Sequence, residues 1–243
     1  MSTNKLSSCL AAILLVGCDG TANGGAHVPE PIHVRIGMNV GQFNSQAAVA
    51  RHGSRLDSKS ESAVKIGEHH VLALDVNGRT TPFDAGGQNS FTYVSNTFYV
   101  PHSVSDYGKV SSVDFDIGRE LMTLAEAVKI ARDSCSAMRA TGLPAKDHHF
   151  GVISETFKSG ANRPVATEAE LVQAFADDNV AARTVVLCHL RDEYQEFHLE
   201  ITKSPYASGD KAFRVSGHLA QNMNDPERGA AGRSSGPSGE MAR

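Results

Sequence analysis

The chain contains no tryptophan, and aromatic residues make up only 6% of its 243 positions. That scarcity leaves few flat platforms on which sugar rings or bases could stack. Strong charge of either sign is also lacking, with 23 Lys and Arg against 27 Asp and Glu and a formal net charge of -4. A phosphate backbone would find little to hold it, so nucleic acid is not expected as a partner. No apolar run reaches the about 20 residues that span a bilayer. Glycine-rich phosphate loops, Gly-x-Ser-x-Gly elbows and His-Glu-x-x-His helices are all missing. With them go the common signatures of nucleotide, ester and zinc-dependent peptide hydrolysis. Repeats of solenoid period are lacking as well.

The first informative stretch lies at the start. Lys5 is followed by an uncharged apolar run from Leu10 to Val16, then by Gly17, Cys18 and Asp19. The run is too short for a permanent span and has the layout of a cleaved export signal. Leu15-Val16-Gly17-Cys18 resembles the lipobox of bacterial lipoproteins, in which the cysteine is lipidated and becomes the first residue after cleavage. The resemblance implies a signal peptide over 1–17, lipidation at Cys18 and a membrane anchor facing the periplasm. One acyl chain binds a membrane only marginally and stable attachment needs more than one signal. The three chains implied for Cys18 would make the anchor permanent. Asp19 directly after the cysteine resembles the inner-membrane retention signal of enteric lipoproteins.

Residues 18–31 are rich in Gly, Ala, Asn and Pro and are expected to form a flexible tether. Residues 220–243 carry Gly, Ser and Pro with no aromatic side chain and are expected to be a disordered tail. Residues 32–219 then form one domain, long enough for a sizeable core. Of the four cysteines, Cys9 leaves with the signal and Cys18 carries lipid. Cys135 and Cys188 remain, and outside the cytoplasm they are expected to form a disulfide; two buried free thiols are the alternative.

Within the body, strands are expected at Ile32–Ile36, at Val71–Val76 before an Asn77-Gly78 hairpin turn, and at Phe91–Val100 with Phe91 and Tyr93 on one face. Pro82 is expected to cut short the strand after the turn. Gly41–Ser62 is read as a long loop, and Val113, Phe115 and Ile117 mark one face of another strand. Thr123 and Glu126 form a capping box ahead of a helix whose apolar side runs from Leu124 to Met138. Thr167 and Glu170 open a shorter helix. Thr184–Leu190, Glu196–Thr202 and Lys211–Val215 complete the body as strands. The expected class is α+β, a mainly antiparallel sheet with two amphipathic helices packed on it as a two-layer sandwich.

Eleven histidines stand out, including the pairs His69-His70 and His148-His149. His70, His148 or His149, and His189 are conceivable imidazole ligands, but they lack the spacing that makes zinc motifs specific. No metal, cofactor or catalytic set is therefore assigned. The loop containing His102, Ser103, Ser105, Asp106 and Tyr107 joins two strands and mixes polar, aromatic and ionisable groups. Loops on a rigid sheet often carry binding, so these residues are the candidate contact site. In size, anchor and α+β body the chain resembles the proteobacterial lipoproteins that serve as immunity partners of toxins delivered by type VI secretion. That resemblance implies a non-enzymatic protein of the envelope, held by lipid, that neutralises a secreted toxin by binding it. A periplasmic hydrolase dependent on histidine or a metal is the alternative.

Overall fold

The computed structural model describes residues 30–87, 90–97, 106–145, 151–154, 163–165, 167–176, 184–204, 206–207 and 209–222. The expected signal, Cys18, most of the tether and the tail beyond Asn222 lie outside them. In chain order the described elements are β1 (Ile32–Val34), α1 (Val40–Asn44), α2 (Ala47–Arg51), β2 (Ala63–Ile66), β3 (His70–Val76), β4 (Arg79–Ala85), β5 (Thr92–Ser95) and β6 (Ser112–Met122). Then come α3 (Leu124–Arg139), β7 (Gly151–Ser154), β8 (Arg163–Val165), α4 (Glu168–Ala176), β9 (Thr184–Arg191), β10 (Gln195–Lys203) and β11 (Phe213–Gln221). The body is mixed α and β, one large sheet with four short to medium helices among the described residues.

Its strands run in the order β1-β3-β4-β6-β11-β10-β9-β7-β8, and β2 joins through β5 to β6. Every pairing is antiparallel except β1 with β3. β5 lies along Ser112–Phe115 of β6, while β4 meets the same strand only where Ala85 faces Ile117. The sheet therefore divides at that point.

Local chemistry explains the best-defined elements. Thr123 accepts from the Glu126 amide and the Glu126 carboxylate accepts from the Thr123 amide, closing both halves of the box that starts α3. Ala127, Val128, Ala131, Cys135 and Met138 on its inner side are buried, and the helix lies against β9, β10 and β11. Cys135 is joined to Cys188 of β9 as a disulfide, with Cα atoms 5.9 Å apart across a sequence separation of 53. Asn77 and Gly78 both have positive φ, 50° and 75°, as a tight two-residue hairpin turn requires.

Several expectations are corrected. Gly41–Ser62 is not one long loop, because α1 and α2 occupy its first part and bury Val40, Phe43, Ala48 and Val49. Each helix has five residues, less than two turns, so no helical period could show in the sequence. Pro82 does not cut β4 short. Counting from the turn, Ala73 and Pro82 form a non-hydrogen-bonded pair, so the missing amide would have pointed to the edge that β6 reaches only at Ala85. In β5, Thr92 and Val94 are buried, while Phe91 and Tyr93 are half-buried on the other face. β11 continues past Val215 to Gln221. Gly217 permits this, since a Cβ there would stand 2.4 Å from Cζ of Phe115.

Candidate functional site

Side chains alternate across a strand, so paired strands carry aligned rows on each face. The inner row through the middle of the sheet is Val64, Val94, Val113, Leu219, Phe197 and Leu190, and all of them are 0% exposed. One residue along, the outer row is Lys65, Tyr93, Asp114, His218, His198 and His189. Burial of the first row fixes the register and thereby assembles the second.

The histidine end of the outer row is held by hydrogen bonds and ring contacts. His218 donates from Nδ1 to Oδ1 of Asp114 at 2.5 Å. His189 bonds through Nε2 to Oε1 of Glu196 at 2.8 Å. The ring of His198 stacks on that of His218, centroids 4.7 Å apart, and meets His189 edge-on at 6.3 Å. Burial, reinforced by the neighbouring His218 and His189, pushes the His198 imidazole down to about 4. It is therefore uncharged at neutral pH.

Beside this row lies a depression of about 430 Å³ whose walls include Phe91, Tyr93, Asp114, Glu200, His198 and His218. Phe91 and Tyr93 meet edge to face at 4.7 Å, and the Lys65 ammonium stands 5.3 and 5.5 Å from their centroids. Asp116 is 3% exposed. It accepts from Ser216 Oγ at 2.7 Å and the Phe91 amide at 3.3 Å, and it pairs with Arg214 at 3.4 Å. Burial still raises its carboxyl above the usual range, with those three contacts opposing. Glu200 is raised too, by burial first, with Asp114 and Asp116 adding to it and His218 opposing. Among the described residues Glu200 has no hydrogen-bond or ion-pair partner.

The chemistry open to this arrangement is recognition of a polar, mixed-charge surface, together with proton binding. Asp114 orients His218 as an acidic partner orients a general base. Among the described residues, however, no hydroxyl or thiol is bonded to His218 or His198, and the Ser216 hydroxyl is spent on Asp116. Nor do three His, Cys, Asp or Glu side chains among the described residues converge to hold a metal ion.

The residues singled out in the sequence are dispersed. His69 is bonded to Asp84, which also faces Arg119. His70 is buried, with Nδ1 donating to the Glu68 carbonyl at 2.7 Å and Nε2 accepting from Thr92 Oγ1 at 3.0 Å. That neutral tautomer ties β3 to β5, and burial lowers its pKa. Of the candidate loop, His102, Ser103 and Ser105 lie outside the described residues, as do His148 and His149. Asp106 caps its own turn by accepting from the Gly108 amide at 2.8 Å, and the Tyr107 carbonyl accepts from Asn96 at 3.0 Å. His189 alone joins the outer row. His198 and His218, which complete it, were not singled out. The two-residue Glu193–Tyr194 turn would have paired His189 with His198 by counting; the longer connection from β10 to β11 gives no such count for His218.

A second depression, of about 410 Å³, lies among hairpin ends at Asn77, Gly78, Tyr194 and Gln195. Its carboxamides act as ties, since Gln195 donates to Asn77 at 3.2 Å and Asn222 donates to the Asp192 carbonyl at 2.5 Å. Among the described residues no helix is long and apolar enough to cross a membrane. Compared with protein-family models, with curated proteins and with solved structures, the chain finds no match in any of the three.

Proposed function

We propose that this chain is a bacterial envelope lipoprotein, anchored through lipid on Cys18 and facing the periplasm, that works by binding a protein partner. The Asp19 position favours the inner membrane. In this reading the body is a two-layer sandwich, with α3 and α4 on the inner face and the outer face left for contact. No cofactor enters the reading. Neutralisation of a secreted toxin, as in the immunity lipoproteins of type VI secretion, is the role that size, anchor and body suggest.

The observation that carries the partner reading is the outer row and its depression. An interface patch is typically a mosaic of aromatic and polar groups with a partly desolvated centre, and bulk apolarity does not distinguish it. Phe91, Tyr93, the histidine row and the half-buried Glu200 have that make-up. A catalytic site would need a nucleophile or bound water, a base and an orienting group in mutual reach. The alternative, a histidine-dependent hydrolase, draws on one observation, the Asp114–His218 hydrogen bond.

The test has two arms. Cys18→Ala should abolish fatty-acid labelling and signal cleavage; equal labelling of the variant would remove the anchor. Recovery of a partner from the native envelope should be lost in Tyr93→Ala and His198→Glu and kept in Lys129→Ala on α3. If His218→Ala instead removes a hydrolytic activity of the purified full chain while its melting is unchanged, the hydrolase reading takes over.

A further inference from the structure

Glu200 is the one carboxylate of the outer face without a hydrogen-bond or ion-pair partner among the described residues, and its surroundings say what would satisfy it. From β6 it is faced by Asp114 and Asp116, and from β11 by His218. The basic groups of the face are engaged elsewhere. Arg214 pairs with Asp116 at 3.4 Å, Arg191 of β9 with Glu196 at 4.0 Å, and Lys65 of β2 lies over Phe91 and Tyr93. The acidic Asp114, Asp116, Glu196 and Glu200 outnumber these three cations by one. The surplus sits in the depression, beside an aromatic pair that already accepts one ammonium.

Resting on the partner reading above, we infer that the outer face takes an arginine or lysine side chain of a protein partner beside Glu200. The occupant is a basic protein segment, because its guanidinium or ammonium supplies the missing charge and can share the rings of Phe91 and Tyr93.

The test uses the full chain purified in detergent and a fluorescent tetra-arginine peptide as probe, with tetra-glutamate as control. Anisotropy should show tetra-arginine bound at about pH 7.5 and weakened by salt. Glu200→Gln is isosteric and should weaken binding about tenfold, whereas Lys65→Gln should strengthen it by removing a competing cation. Equal binding of tetra-arginine by Glu200→Gln, or equal binding of tetra-glutamate, would each overturn the inference. The two readings separate cleanly. If a partner cross-links to the face but the peptide ignores Glu200, the inference falls and the partner reading stands. If the peptide behaves as expected and no envelope protein contacts the face, the partner reading falls and the cation site stands.

Discussion

Two rows of side chains, one residue apart on the same strands, carry opposite duties. The inner row from Val64 to Leu190 is wholly excluded from water, and its energy is that of apolar burial and close packing. The outer row is ionisable and, from Tyr93 to His189, half-buried, and burial costs this face something, as the depressed His198 and the raised Glu200 beside it record. A slip of one residue would exchange the rows, so the cost of exposing the inner one holds the outer one in place. The inner row is built for stability and the outer row is tolerated by it, which is how surfaces shaped for contact or proton binding usually sit on a fold.

The largest effect expected from this contrast is between neighbours in one strand. Phe197→Ala should cost about 3–5 kcal/mol of unfolding free energy, while His198→Ala should cost about 1 kcal/mol or less. Urea unfolding of both decides it, and equal losses would dissolve the distinction between the faces. Next is the staple behind the inner row. Replacing Cys135 and Cys188 together by Ala should cost about 2–4 kcal/mol, read as a shift of the urea midpoint. Thiol alkylation without reductant should leave both cysteines unlabelled, and full labelling would refute the pairing.

The third expectation is acid sensitivity, with the sign set by direction of shift. His70 and His198 hold fewer protons folded than unfolded, since burial lowers both. Their contribution to stability is full above the ordinary imidazole value of about 6.5. It is lost as pH falls toward the folded value, which for His198 is about 4. Asp116 and Glu200 are raised, so their cost is felt at neutral pH and relieved in acid, in the opposite sense. His198→Gln should therefore remove part of the acid loss, about 2 kcal/mol or less after allowing for solvent screening. A variant with the same pH–stability curve as the parent would refute the assignment. The smallest effect sharpens the outer row alone. Glu200→Gln should stabilise by about 1 kcal/mol at neutral pH, by removing a half-buried charge that lacks a cation. A loss of stability would show that Glu200 serves the fold.

Much of this architecture was legible in the residues. The Thr123 and Glu126 spacing announced α3, Asn77-Gly78 announced the first hairpin, and cysteine accounting pointed to Cys135 and Cys188. What escaped has physical causes. α1 and α2 are too short to show a period. Phe91 and Tyr93 share a face as expected, but which face it is depends on Val94, whose pairing opposite Val113 and Val64 sets the register and turns the rings outward. The strand expected to end at Val215 runs on through Gly217, which leaves the space for the Phe115 ring. The candidate site was the least legible part. A loop of mixed chemistry drew attention by local composition, whereas His189, His198 and His218 meet only through register across three strands, which no local window contains.

The central claim is that the outer row is the working surface of this protein. A photo-cross-linking residue at position 93, compared with one at Lys129 on the exposed side of α3, tests it most directly in intact cells. The account predicts an adduct with an envelope protein at position 93 and none at position 129. An adduct confined to position 129, or equal at both, would contradict it.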